Sequence, residues 1–455
     1  MDSRGRTISV VGLGKLGVPF IACLASKGNR IIGVDVDPEV VETVNKGKPP
    51  VIEPGLDQLM EECKQNISAT SDYHEAVSRS EMTFIVVPTP SDEKGGFSLK
   101  YVLSACSSVG EAMRGLDRYH LVVMTSTILP GSTSGPVKEL LEERSGKSCG
   151  EGFGLCYNPE FIALGSVIRD TLNPDFVLIG ESDRRAGDML EGVYREMCEN
   201  DPPIARMNII NAEITKLAVN TYVTTKISFA NMLARICERI EGADVDAVTS
   251  ALGYDRRIGP RYLKGAVGYG GPCFPRDNIA LSYFAREIGI TASLAEATDE
   301  VNRQQVRNLV EVVRSHLPAG GRVGILGLTY KPNTNVTEES QGMLLVDRLK
   351  EEGISVSVYD PSAQHMDIAK EFVGFSSDAS LKQCVQASDV VVITTPWEEF
   401  REMDPRWLAR EGTPRVVIDC WRILEPEEVG RYATYRALGI GYSADIEKEK
   451  PEVDS

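Results

Sequence analysis

The sequence predicts an α/β chain: two Rossmann-like, doubly wound domains joined by a long central helix and a helical middle domain. Three observations lead there. Short apolar runs, each closed by turn residues, recur towards both ends of the chain and read as buried parallel strands. Stretches of helical length separate them, the pattern of βαβ units. A glycine-rich turn after the first run has a weak echo at the start of the last third. The expected divisions are 1–205, 206–315 and 316–443. A charged tail, 444–455, carries no core pattern and is expected to be mobile.

The first unit opens with the run Ile8–Val11. Gly12-Leu13-Gly14-Lys15-Leu16-Gly17 follows, then a helical stretch to about Ser26, a second run at Ile31–Val34, and Asp35. A lone Gly-X-Gly-X-X-Gly is weak evidence. Set between a strand and a helix, with an acid 18 positions after its last glycine, it is the dinucleotide fingerprint. Asp35 can accept hydrogen bonds from ribose hydroxyls and repels a 2′-phosphate, so the expected cofactor is NAD and not NADP. Further strands are expected at Phe84–Val87, Leu121–Met124 and Phe176–Ile179. In a doubly wound sheet, ligands lie at the carboxyl ends of the strands. Pro88, Thr89 and Thr127 therefore occupy positions where cofactor contacts are expected.

A helix is predicted over about Asn211–Ile240, with Asn211 as its N-cap. One stripe holds Ile214, Leu217, Ala218, Thr221, Thr225, Met232 and Ile236; the other side holds Val219, Val223 and Ile227. A helix apolar on two sides is expected to be buried between layers. Lys216 and Asn220 share that second side, four residues apart. A buried lysine needs a partner carboxylate or a polar cavity. The last unit begins near Leu317, with strands at Val323–Gly327 and Ser355–Tyr359 around a helix at Met343–Glu352. Asp360-Pro361 follows, and then a run from Asp389 to Pro396. The full glycine fingerprint is missing from this second unit.

Composition restricts the function. The 455 residues carry a net charge of −17, which disfavours non-specific nucleic-acid binding. No apolar run approaches the roughly 20 residues that span a bilayer, and no signal-peptide pattern is present. The ten cysteines include no Cys-X-X-Cys pair and the four histidines are isolated, so neither a metal site nor a disulfide framework is expected. A cytoplasmic protein is the expectation.

Cys273 stands out from the other nine cysteines. It lies in Gly268-Tyr269-Gly270-Gly271-Pro272-Cys273-Phe274-Pro275-Arg276-Asp277. Glycines at this density permit positive φ and close approach to a ligand. A thiol beside a cation and a carboxylate is placed as a nucleophile is.

Together, the fingerprint, Lys216 with Asn220, and the Cys273 loop resemble the nucleotide-sugar 6-dehydrogenases. The likeness covers about residues 6–440. Its other motifs are Glu53-Pro54-Gly55-Leu56, Pro88-Thr89-Pro90, Ser126-Thr127, Asn158-Pro159-Glu160-Phe161, Arg257-Ile258-Gly259, Gly327 to Pro332, and Trp421-Arg422. The resemblance implies a four-electron oxidation of a sugar C6 alcohol to the acid, reducing two NAD. It implies that Cys273 carries a thiohemiacetal and then a thioester, and that Lys216 and Asn220 stabilise the oxyanions. It gives Asp277 a water-activating role, Glu160 that of base for thioester hydrolysis, and Thr127 that of its water-holding neighbour. Phe161, Lys264, Tyr269, Gly270, Tyr330, Lys331 and Arg422 are implied to hold the nucleotide diphosphate and sugar, alongside Lys216 and Asn220. Arg257 is implied to reach a neighbouring subunit, hence at least a homodimer.

Three positions depart from the family's pattern: Arg276 for a lysine, Leu164 for a glutamate near the cofactor, and Glu338 for an arginine near the NAD diphosphate. The Cys-Phe-Pro-basic-Asp form favours a plain hexose, with UDP-glucose as the expected substrate. GDP-mannose and UDP-N-acetylhexosamines are the nearest alternatives. A two-electron hydroxyacid dehydrogenase and a non-catalytic NAD-binding protein are the competing classes.

Overall fold

The structure, a computed structural model, describes residues 5–362 and 380–442. The tail expected at 444–455 lies outside the described residues. The chain divides into two compact units, Met1–Ala218 and Val219–Ser455, with the division inside one long helix, Ile209–Cys237.

The first unit is built on eight strands: β1 (Thr7–Val11), β2 (Arg30–Val34), β3 (Ile67–Thr70), β4 (Met82–Ile85), β5 (His120–Met124), β6 (Phe153–Tyr157), β7 (Val177–Glu181) and β8 (Ile204–Asn208). Their order is β3-β2-β1-β4-β5-β6-β7-β8. All neighbours pair in parallel except β6 with β7. Both faces are covered by apolar cores, as a parallel sheet requires. One is centred on Phe20, Leu24, Phe84 and Tyr194, the other on Val102, Met113, Phe153 and Tyr157. The helix Gly17–Ser26 is buried from Gly17 to Ala25 because no polar side chain interrupts that stretch.

In the second unit, the rest of the long helix joins helices Val245–Tyr254, Phe274–Glu287 and Ser293–His316. Five strands follow: β9 (Arg322–Leu326), β10 (Ser355–Tyr359), β11 (Val390–Ile393), β12 (Val416–Asp419) and β13 (Thr434–Ala437). They form an all-parallel sheet in the order β10-β9-β11-β12-β13.

The two sheets start alike. Gly12 follows β1 at φ +99° and Gly327 follows β9 at φ +104°, a region that favours glycine. A Cβ at Gly17 would collide with the Gly12 carbonyl, and one at Gly342 with the Gly327 carbonyl. The first and third glycines of the turn therefore have spatial counterparts in the second unit. Residues 13–16 in the first turn are replaced there by 328–341, which is why the compact fingerprint is missing from the sequence.

Two expectations for the long helix are corrected. Its cap is Asn208, whose Oδ1 accepts from Asn211 N–H at 2.9 Å; the helix starts at Ile209, before Asn211. β8 runs straight into it, so the capping asparagine is the strand's last residue. The helix is also not buried all round. Tyr222, Phe229, Met232 and Ile236 are 41–62% exposed, one stripe that this unit leaves uncovered.

Candidate active site

The Gly12–Gly17 turn has the build of a dinucleotide cradle. Gly12 is pressed against the chain leaving β4: a Cβ there would lie 2.5 Å from the Val86 carbonyl oxygen. Gly14 faces open space and, like Lys15, is exposed. Leu16 is half-buried. The Leu13 side chain is buried in the core, and its N–H donates to Asp35 Oδ2 at 2.8 Å. Asp35 also accepts from Asp37 N–H at 3.0 Å and is only half-buried. At the ends of β4 and β5, Thr89 Oγ1 donates to the Thr127 carbonyl at 2.7 Å, and Ser126 Oγ to the Val87 carbonyl at 2.6 Å. Pro88 is exposed beside them. A tight turn, a helix start packed on it and an accessible acid at the end of β2 fit NAD.

The loop after β6 carries the second group. Asn158 is buried and engaged through both amide atoms: Nδ2 donates to the Leu178 carbonyl at 2.8 Å, and Oδ1 accepts from Tyr194 Oη at 2.6 Å. Glu160 and Phe161 follow. Lys216 Nζ donates to the Glu160 backbone carbonyl at 2.6 Å and sits 4.7 Å from the centre of the Phe161 ring, which packs on Phe176. The buried ammonium is thus met by a carbonyl and a ring face. Desolvation pushes the Glu160 carboxyl up to about 7, with the Lys216 charge partly opposing it.

Two buried glutamates hold the loops of this unit. Glu53 accepts from Gly165 N–H (2.8 Å) and Val167 N–H (2.6 Å), downstream of Glu160. Glu213, one turn before Lys216, accepts from Gly131 N–H (2.6 Å) and Thr133 N–H (2.8 Å), downstream of Thr127. Burial raises the pKa of Glu213, while the N–H bonds from Thr133 and Gly131 pull it down. Sequence reading gave neither residue a role. The signal for Glu213 is its i, i+3 spacing to Lys216; for Glu53 it is an acid ahead of a Pro-Gly turn.

In the second unit, Asn220 Nδ2 donates to Asp277 Oδ2 at 2.6 Å, and Asp277 is 1% exposed. Arg276 Nη2 lies 3.4 Å from the other carboxylate oxygen. Cys273 is exposed at the start of the helix Phe274–Glu287, and its carbonyl accepts from Asp277 N–H at 2.8 Å. Of the loop glycines, only Gly271 has positive φ (+82°). The Tyr330 ring fills the space where a Gly271 Cβ would sit, and Gly271 N–H donates to the Glu338 carbonyl at 2.9 Å. The Glu338 side chain is exposed. Tyr269 is buried, with Oη donating to Asp299 at 3.0 Å; Gly270 is half-buried, and Lys331 Nζ lies 5.8 Å from the Tyr330 ring centre.

Three of the cations expected at the substrate have these surroundings. Arg422, at φ +56°, is held by Asp246 (2.7 and 2.8 Å) and by the carbonyls of Gly265 and Leu438. Arg257 is exposed and paired with Asp255 at 2.6 Å. Lys264 is exposed. Among the described residues, no group of three or more His, Cys, Asp or Glu could hold a metal ion, and no helix is long and apolar enough to cross a membrane.

A dinucleotide cradle in the first unit, and in the second an exposed cysteine one helical turn ahead of an aspartate bound to a buried asparagine, are features of an NAD-dependent dehydrogenase. Comparison with known proteins gives the family. Sequence models of the UDP-glucose/GDP-mannose dehydrogenase family match in three segments: the NAD-binding domain at 6–198, the central domain at 210–304 and the UDP-binding domain at 324–426. The UDP-glucose 6-dehydrogenase of Haloferax volcanii is 34% identical over 425 residues, 92% of this chain and 98% of that one. The GDP-mannose 6-dehydrogenase of Pseudomonas putida is 33% identical over 410 residues, 87% and 92% of the two chains. The solved UDP-glucose dehydrogenase of Pyrobaculum islandicum superposes with a TM-score of 0.87 at 33% identity, covering 96% of this chain and 99% of that one. The chain belongs to the UDP-glucose/GDP-mannose dehydrogenase family. It is an NAD-dependent nucleotide-sugar 6-dehydrogenase.

Proposed function

We propose that the chain oxidises the C6 hydroxyl of UDP-glucose to the carboxylate of UDP-glucuronate, removing four electrons through a covalent intermediate on Cys273. The observation that carries this reading is the exposed Cys273 thiol, at the head of a helix that also presents Asp277 bound to Asn220. NAD, held by the Gly12–Gly17 turn and Asp35, supplies the hydride acceptor for both oxidations.

In the first step the C6 hydroxyl loses a proton and a hydride and becomes an aldehyde. The Cys273 thiolate adds to the aldehyde carbon, forming a C–S bond, and the resulting oxyanion takes up a proton. This thiohemiacetal keeps one C–H hydride. Losing that hydride and the hydroxyl proton gives a thioester. Water, deprotonated by Glu160, then adds to the thioester carbon, the C–S bond breaks, and Cys273 leaves as thiolate. A thiolate suits both tasks, as strong nucleophile and competent leaving group. Lys216 and Asn220 act on the oxyanions as fixed donors. A Glu160 carboxyl poised near pH 7 suits a base at neutral pH.

UDP-glucose is the first choice because relatives acting on it match at 33–34% identity; the GDP-mannose enzyme at 33% makes GDP-mannose the runner-up. The exposed stripe Tyr222, Phe229, Met232 and Ile236 supports a homodimer. The test is a panel of nucleotide sugars with NADH counted per sugar consumed. Two NADH with UDP-glucose is the expected result. One per sugar defeats the four-electron route, and turnover of GDP-mannose alone defeats the choice of substrate.

A further inference from the structure

We propose that two buried asparagines, Asn231 and Asn302, are positioning residues for Cys273. The proposal rests on the covalent role given to that thiol above. The stretch leading to the cysteine, residues 264–273, belongs to neither helix nor strand. Ala266, Val267 and Tyr269 are nevertheless 3–7% exposed, so their backbone groups need partners inside the protein.

The partners are side-chain amides from two separate helices. Asn302, on Ser293–His316, accepts from Tyr269 N–H at 2.7 Å and donates to the Tyr269 carbonyl at 3.0 Å. Asn231, on Ile209–Cys237, accepts from Ala266 N–H at 2.9 Å and donates to the Val267 carbonyl at 3.1 Å. A primary amide offers a donor and an acceptor side by side, so each asparagine stands in for a missing neighbouring strand. The loop sequence is adapted to this approach. A Cβ at Gly268 would lie 2.5 Å from Asn302 Oδ1, so only glycine admits the amide.

Beyond Tyr269 the chain has little freedom before the thiol. Gly271 N–H is tied to Glu338, Pro272 fixes its own φ, and Cys273 begins the helix. On the far side, Asn278 Nδ2 anchors that helix to the Ala295 carbonyl at 2.9 Å. The segment carrying Cys273 is thus fixed at both ends by buried amides. The Asn231 and Asn302 clamps hold the upstream end, where regular structure supplies nothing.

The test uses the full chain carrying Asn302→Asp, with Asn231→Asp and Gly268→Ala as parallel variants should the first fail to fold. In Asn302→Asp an acceptor oxygen faces the Tyr269 carbonyl where a donor stood. A loop displaced by about 1 Å costs about 10²-fold in rate. The expected result is a 10- to 100-fold fall in kcat per folded molecule with the KM for NAD unchanged. The NADH yield should drop below two per sugar as aldehyde escapes capture, read by trapping it with semicarbazide. A purely structural role lowers the folded fraction and leaves that yield at two. In the ligand-free variant, hydrogen exchange at the Ala266–Gly271 amides should rise at least tenfold. A variant yield of two with unchanged kcat overturns the proposal, as does unchanged exchange, whatever the substrate. A wild-type yield of one per sugar instead defeats the four-electron reading, so the two failures separate.

Discussion

Replacing Glu160 by glutamine tests the electrostatics of the site without touching the thiol. Burial lifts its carboxyl from an ordinary 4.5 to about 7, against the opposing Lys216 charge. The folded chain therefore holds this proton more tightly than the unfolded chain does. Below about pH 4.5 both states carry it, and the group is neutral to stability. Above about pH 7 the fold carries a partly buried carboxylate, and the displacement corresponds to a cost of at most about 3 kcal/mol. Glu160→Gln removes that cost, so the variant should gain on wild type as pH rises. Its unfolding midpoint should match wild type near pH 4.5 and exceed it by several degrees at pH 8. Kinetics run the other way: wild-type kcat should climb through about pH 7 as the base ionises, and the variant should lose both that limb and most acid formation. Calorimetric scans at pH 4.5, 6, 7 and 8 with paired rate profiles measure both. A midpoint difference that is flat with pH, or that favours wild type at pH 8, refutes the buried-carboxylate reasoning.

Cys273→Ser should retain the first oxidation and stop at the aldehyde, with NADH per sugar falling to one or below; full acid formation would remove the thiol from the mechanism. Lys216→Ala should lower kcat by about 10²–10³-fold, the usual loss for one oxyanion donor, measured at saturating sugar. Phe229→Asp, with Met232→Asp as its parallel, should halve the mass seen by light scattering while leaving the unfolding midpoint of the monomer measurable. An unchanged mass would show that this stripe is not the subunit contact.

The sequence made one half of each site legible. Gly12, Gly17, Asp35 and the Cys273 loop could be read because their chemistry is local: a turn, a helix start and an acid within a short span. The long-range partners were not legible. Glu53 reaches Gly165 and Val167, Glu213 reaches Gly131 and Thr133, and Asn302 reaches Tyr269, contacts that topology alone creates. The strands show the same division. β1, β2 and β5 are plain apolar runs. β4 lies at Met82–Ile85, two residues earlier than the Phe84–Val87 run, and Val86 N–H makes one further bond to the Val11 carbonyl before Pro88, which has no N–H to offer. β6 is hidden by Gly154, which must stay small because a Cβ there would lie 2.9 Å from that of Ala186. β3 and β8 are short and polar enough to lack any run, and it is their pairing with β2 and β7 that marks them as strands.

The internal echo between the two sheets also acquires a physical meaning. Both glycine turns point a backbone N–H at an acid, Leu13 at Asp35 and Leu328 at Asp360, at 2.8 and 2.7 Å. The acids differ in what remains to them. Asp35 is half-buried and takes two backbone bonds, leaving lone pairs for ribose hydroxyls. Asp360 is 2% exposed and also takes Thr329 N–H and Oγ1 and Ser362 N–H and Oγ. A carboxylate offers about four lone-pair sites, so its own chain saturates Asp360. The same strand–glycine–acid frame thus serves two ends: open at Asp35, where a ribose can complete the hydrogen bonding, and closed at Asp360, where Thr329 and Ser362 do so instead. Thr329 opens a loop that goes on to Tyr330, whose ring packs on Gly271, and to the Glu338 carbonyl that receives Gly271 N–H, so the segment that helps close the second turn also supports the backbone leading to Cys273.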